Sequence, residues 1–169
     1  MTTNLVSRFT EPFNGPVEIG LRAVVVLCEA YPQSMSLQRL IVFDYLMVHS
    51  DDLPGGPPGL HPKTPHRSGE LLVRRQVLQD GLILFESRGL AITLYAEDGV
   101  HYSATDRSAA FLDVLASPYA HELRERAVWL QATLGEMTDA RVEALAREHI
   151  GRWGAEFAME AILWAEDQP

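Results

Sequence analysis

The sequence predicts a mostly helical α+β fold, and three observations predict it. Apolar residues recur at helical spacing from Val17 onward through most of the chain. That rhythm breaks once, where two β-rich runs, Leu90–Ala96 and Val100–Thr105, meet at Asp98-Gly99, a strong hairpin signal. Residues 50–66 hold five prolines and three glycines, a density of breakers that leaves room only for a loop. Helix, helix, helix, hairpin, helix is the order of a winged-helix domain with a two-stranded wing, followed here by a C-terminal helical extension. The expected organisation is an irregular lead-in over residues 1–16, a winged-helix domain over 17–116 containing the Pro/Gly loop 50–66, and a helical extension over 117–169, forming one compact unit.

Each element has its own local justification. Val17, Leu21, Val24 and Cys28 form a stripe on a first helix, with Glu18, Arg22 and Glu29 on the opposite side, until Pro32 stops it. Ser36 is placed to cap a second helix, Leu37 to about Val48, apolar nearly all round and therefore buried. Ser68 can cap a third, in which Leu71, Arg75, Leu78, Leu82 and Phe85 trace one side. Gly89 makes its C-cap, and Gly81 is a weak point that leaves open a break into two helices. After the hairpin, Thr105 or Asp106 caps a short helix carrying Ala110, Phe111, Val114 and Leu115. Pro118 opens the next, through Leu123, Ala127, Leu130 and Leu134 to Gly135. Thr138 or Asp139 caps another with Val142, Leu145, Ala146 and His149, and a last segment runs from Glu156 to about Ala165.

Charge narrows the function classes. The formal net charge is −9, and a single lysine, Lys63, is present. No third of the chain is positive. Proteins that grip nucleic acid alone gather Lys and Arg on one face, because phosphate neutralisation supplies most of the affinity. Autonomous nucleic-acid binding is therefore not expected. Arg74 and Arg75 on the third helix are the residues a groove reader would use, but that helix is balanced in charge. The wing tip carries Glu97 and Asp98, which phosphates would repel. About 20 residues link helices two and three, far more than the short turn of a DNA-reading helix-turn-helix. No apolar run approaches membrane-spanning length, and no basic region followed by an apolar core opens the chain. With Cys28 alone, an internal disulfide cannot form, and a reducing cytoplasm is the expected setting.

Catalytic and metal signatures are missing. There is no GxSxG, no Walker loop and no GxGxxG. His49, Asp51, Asp52, His61 and His66 gather in or beside the loop, but at no ligand spacing of a known metal site. Cys28 on an apolar helix face reads as an inert thiol. Asp44, on the apolar second helix, is expected to pair with an arginine such as Arg39 or Arg67. Neither a cofactor, a metal nor an enzymatic activity is expected. Trp153, between Gly151-Arg152 and Gly154, is either a core staple or an interface anchor.

Five stretches, in order, carry a resemblance over about residues 11–157: Glu11-Pro-Phe-Asn-Gly-Pro-Val-Glu-Ile-Gly-Leu-Arg22, Leu37-Gln-Arg-Leu-Ile-Val-Phe-Asp-Tyr-Leu46, Gly56-Pro-Pro-Gly-Leu-His-Pro62, Arg67-Ser-Gly-Glu-Leu-Leu-Val-Arg-Arg75 and Gly151-Arg-Trp-Gly-Ala-Glu-Phe157. Together they resemble the middle component of bacterial ABC-three-component systems, to which Lamassu defence systems look related. The resemblance implies a non-catalytic winged-helix adaptor joining an SMC-like ABC ATPase to an effector protein in anti-phage and anti-plasmid conflict. The alternative is a DNA-binding winged-helix transcriptional regulator, which the same fold often serves and this charge pattern opposes. Phe13, Arg67, Glu70, Arg74, Arg75, Arg152 and Trp153 are the candidate partner-binding residues.

Overall fold

A computed structural model describes residues 14–62 and 70–150. Along them run α1 (Pro16–Ala30), β1 (Met35–Ser36), α2 (Leu37–Val48), α3 (Glu70–Ser87), β2 (Ala91–Ala96), β3 (Gly99–Ala104), α4 (Ser108–Asp113), α5 (Pro118–Leu134) and α6 (Asp139–Ile150). The fold is mostly helical α+β, as the periodicity predicts. The expected final segment near Glu156–Ala165, the Ser68 cap and most of the lead-in lie outside the described residues.

Local chemistry sets most boundaries. Ser36 Oγ accepts from Arg39 N at 3.1 Å and Ser117 Oγ from Ala120 N at 3.1 Å, so each satisfies an orphan amide of the helix it starts. Thr138, not Asp139, caps α6, accepting from Arg141 N at 3.2 Å. Thr105, rather than Asp106, caps the start of α4: its Oγ1 accepts from Arg107 N at 3.3 Å, and Ser108 Oγ accepts from Thr105 N at 2.9 Å. Thr105 Oγ1 also donates to Gly89 O at 2.7 Å and ties the end of the hairpin to the end of α3. Gly89, at φ +71°, closes α3 in the left-handed conformation a C-cap needs.

The hairpin falls at 91–104 as expected, and Gly99 meets its turn with φ +128°, an angle that favours glycine. The sheet nonetheless has three strands rather than two. Met35 and Ser36 pair antiparallel with Tyr102 and His101, giving the order β1-β3-β2. Two residues carry too short a pattern to announce a strand. The Pro/Gly loop likewise begins with one 3-10 turn, Ser50–Asp52, where no regular element was expected.

α1 and α2 form the centre of the core. α3 and α5 pack on α1, while α5 and α6 pack on α2. Phe43, Leu27, Leu40, Ile41, Leu46 and Leu82 are among the side chains sealed from solvent. The expected stripe of α1 holds at Leu21, Val24 and Cys28, which pack in or against the core, and two positions depart from expectation. Val17 is 56% exposed, whereas Arg22, expected on the polar side, is 1% exposed. A helix held on several sides buries most of its circumference, so a single stripe marks only part of the buried face.

α3 does not break at Gly81. It runs unbroken because that glycine is a contact, not a defect. A Cβ there would lie 2.5 Å from Pro16 O and 2.8 Å from Gly20 Cα, so α1 and α3 cross backbone to backbone.

Candidate interaction surface and the polar network beneath it

Asp44 organises the interior. Its carboxylate, on α2 and 1% exposed, accepts from Arg22 Nε at 2.6 Å and Arg22 Nη2 at 3.1 Å, and also from Arg74 Nη1. The three helices α1, α2 and α3 are thus tied through one carboxylate. Burial pushes the Asp44 carboxyl up, but the two guanidinium charges and their hydrogen bonds outweigh it, leaving it below the ordinary carboxylate range. Arg22 loses solvation on burial, and Asp44 more than compensates, so its pKa is raised. The expected partners were Arg39 and Arg67. Arg39 goes elsewhere, and Arg67 lies outside the described residues. Five residues separate Arg39 from Asp44, which places them roughly 140° apart around α2.

Arg39 caps α5 across the core. Its Nη2 donates to Leu134 O at 2.7 Å and Gly135 O at 3.0 Å, and its Nη1 to Met137 O at 2.7 Å and Asp139 Oδ1 at 3.1 Å. These carbonyls end one helix and lead into the next, where no intrahelical donor reaches them.

The network continues outward to the Pro/Gly loop. Arg22 also hydrogen-bonds Tyr119 on α5, whose hydroxyl is raised by burial and drawn back by that guanidinium. Tyr119 Oη meets His61 Nε2 at 2.7 Å, with the two rings stacked 5.9 Å apart. Arg74 lies over the Tyr45 ring, and the Tyr45 hydroxyl donates to Asp52. The loop is pinned directly as well. Leu60 N and His61 N both reach Val48 O, Ser50 Oγ donates to Pro57 O at 2.9 Å, and Arg126 Nη2 to Pro58 O at 2.7 Å. A Cβ on Gly56 would fall 1.9 Å from Ser50 O, so the loop folds tightly over its own 3-10 turn. Asp51, Pro54, Gly55, Pro58 and Pro62 remain exposed along its rim. A loop held this way loses little entropy when it docks.

A second exposed surface lies at the hairpin. Tyr95 is 86% exposed, and Ile92, Leu94 and Val100 are exposed beside it. Glu86, at the end of α3, accepts from Thr93 N at 2.9 Å and Thr93 Oγ1 at 3.1 Å. Tyr102, behind them, is raised by burial and by the Glu86 charge, with Arg75 pulling the other way.

The candidate partner residues divide accordingly. Phe13, Arg67, Arg152 and Trp153 lie outside the described residues, and Glu70 stands at the first position of α3. Arg74 is buried in the Asp44 network at 8% exposure, whereas Arg75 is partly exposed near Tyr102. The two arginines are therefore not one surface pair. Arg22, Tyr119 and the Glu86–Thr93 pair were not singled out by the sequence reading. A cation inside the apolar run of α1 is the signal that marks Arg22; the others have none.

Among the described residues no group of three or more His, Cys, Asp or Glu is placed to hold a metal. His49 and His61 have ring centroids 6.5 Å apart, and His66 lies outside the described residues. Burial pushes the half-buried Cys28 thiol up, away from the thiolate a nucleophile needs. No described helix is long and apolar enough to cross a membrane.

The family model for the ABC-three component (ABC-3C) system Middle Component 2 matches residues 12–156, most of the chain. The chain belongs to this family. None of the curated proteins and none of the solved structures compared matches it. Membership makes this middle component part of a multi-component system, and the family is not a known catalytic one. The match spans the Asp44 network, the Pro/Gly loop, the hairpin and Trp153.

Proposed function

We propose that this middle component is a non-catalytic winged-helix adaptor, cytoplasmic, that links an SMC-like ABC ATPase to an effector protein in a bacterial anti-phage or anti-plasmid conflict system. The observation that carries the reading is the family match, since a middle component acts beside other components. The element order supports the winged-helix part: helix, short strand, two helices, then a hairpin whose returning strand is the central one. The winged-helix domain covers residues 17–116, with the loop 50–66 inside it, and the extension 117–169; the described part of the loop, 50–62, is pinned and offers the partner a pre-ordered rim. Arg75 and Glu70 on α3, with Phe13, Arg67, Arg152 and Trp153, are the side chains assigned to partner contact. The non-catalytic part rests on how the polar interior is used. Asp44, the most deeply buried acid among the described residues, is ionised between two arginines and so is not poised to move a proton.

The test is reconstitution with the ATPase and effector encoded beside this gene. A tagged effector is expected to retain the ATPase only when the middle component is co-expressed. Equal retention without it would sink the adaptor reading. A gel shift with random duplex addresses the transcriptional-regulator alternative: no measurable binding is expected near physiological salt. Sub-micromolar binding that weakens steeply with salt would restore that alternative, since such a slope reports phosphate contacts.

A further inference from the structure

Two polar chains leave Asp44 and end on the same loop. The first runs through Arg22 to Tyr119 on α5, and from the Tyr119 hydroxyl to His61. The second runs through Arg74, whose guanidinium lies 5.7 Å from the centroid of the Tyr45 ring, and from the Tyr45 hydroxyl to Asp52 in the 3-10 turn. The His49 ring bridges them, its centroid 4.8 Å from that of Tyr45 and 6.5 Å from that of His61. Two points of the loop, Asp52 and His61, are thus connected to the one carboxylate that ties the start of α3 to α1 and α2.

The loop in turn shields that carboxylate. Tyr45 and His49 are buried, with Asp52 on the hydroxyl of one and the His61 ring edge-on to the other. An ion pair is several-fold stronger in a low-dielectric interior than in water, so wetting the Tyr45–His49 layer weakens the tie between Arg74 and Asp44. Arg74 is the partner Asp44 gives up first. Arg22 holds both carboxylate oxygens with two nitrogens, whereas Arg74 holds one oxygen with one nitrogen. When Arg74 leaves, Asp44 is still paired, so no buried charge is stranded. From Leu78 onward α3 is fixed independently, by Leu78, Leu82 and Phe85 in the core and by the backbone crossing at Gly81. Only its start is free to respond.

We propose that the loop 50–62 and the start of α3 are one conformational switch with Asp44 as their common latch. With the loop closed, Asp44 holds both arginines and the start of α3 is docked. With the loop lifted, Asp44 keeps Arg22 alone and releases Arg74. Glu70 and Arg75 lie on the part of α3 that is released, so whatever grips the loop rim also re-aims them. The switch is a property of the isolated chain and stands or falls apart from the adaptor reading.

The experiment is residue-resolved amide exchange of the purified full chain. The loop reporters are Leu60 and His61, whose amides both donate to Val48 O, and the α3 reporters are Gln76 and Val77 in its second turn. Ser50→Ala with Arg126→Ala removes the side-chain pins on the Pro57 and Pro58 carbonyls without touching either polar chain. Exchange at Leu60 and His61 is expected to rise about fivefold for each hydrogen bond lost, and exchange at Gln76 and Val77 to rise with it. In an Arg74→Met chain the same two substitutions are expected to add nothing at Gln76 and Val77. Linkage requires the reverse effect, so Arg74→Met alone raises exchange at Leu60 and His61, neither of which Arg74 touches. Unchanged protection of α6 shows that the chain is still folded. Should Arg74→Met not fold, Tyr45→Phe takes its place, since it cuts the second polar chain at Asp52 with a side chain of nearly the same shape. A loosened loop beside an unchanged α3 start overturns the proposal. So does a response of α3 that persists once the second polar chain is cut, which would travel along the backbone instead. A folded Arg74→Met or Tyr45→Phe chain that leaves Leu60 and His61 as protected as in wild type overturns it as well.

Discussion

Gly20 and Gly81 face each other where α1 crosses α3, and a Cβ on Gly20 would lie 2.9 Å from Gly81 Cα. On Gly81 it would meet Pro16 O and Gly20 N, which are backbone atoms that cannot swing aside. Gly81→Ala should improve helix propensity by about 1 kcal/mol. Forcing apart two packed helices costs about 1–3 kcal/mol, so the net expectation is destabilisation. Urea denaturation of Gly81→Ala reads the sign directly, and a more stable variant would mean the crossing yields more easily than its geometry implies.

Asp44→Asn removes the charge between Arg22 and Arg74. Leaving buried cations uncompensated costs about 3–5 kcal/mol, so a large fall in the denaturation midpoint is expected. The pH dependence follows from the same site. Asp44 titrates below its ordinary value of 3.8 when folded, so its contribution is fully present above that value and is lost as pH falls through the folded one. Wild type should lose stability on acidification below about pH 4. Asp44→Asn should show a shallower acid limb, and an identical limb would remove Asp44 as its source.

Arg74→Ala and Arg75→Ala should behave differently, although they are neighbours. The first strips Asp44 of one of its two cations and should lower the melting temperature markedly. Arg75→Ala should lower melting less than Arg74→Ala does, because Arg75 is only partly buried whereas Arg74 is sealed against Asp44. Its loss should instead weaken co-purification with the ATPase or the effector. Full retention of both would take Arg75 out of the proposed contact.

Arg39→Lys tests the cap on α5. A lysine keeps the charge but lacks the planar fork that reaches Leu134 O, Gly135 O and Met137 O together. Hydrogen bonds to a charged group are worth about 1.5–3 kcal/mol, and most of that should be lost. Amide exchange should rise at the α5–α6 junction. Unchanged protection there would show that another donor satisfies these carbonyls.

The helix starts at Leu37 and Pro118, the glycine C-cap of α3 and the hairpin at 91–104 could all be read from the sequence. Each is decided within a few residues: a serine hydroxyl reaching an amide three positions on, a proline that suits a first turn, a glycine at positive φ. The partners of Asp44 and Arg39 could not be read this way. Their contacts span 22 to 100 residues of chain, and which arginine meets which acceptor depends on how α1, α2, α3 and α5 are rotated against one another. The same holds for Gly81, which by local propensity weakens a helix and by packing permits one to approach α1. β1 exists only because β3 lies beside it. Sequence alone determined where the chain becomes helix, turn or hairpin, because those choices are made by neighbouring atoms. The tertiary structure decided which polar groups are buried together, because burial is a property of surfaces that meet only after the helices have packed.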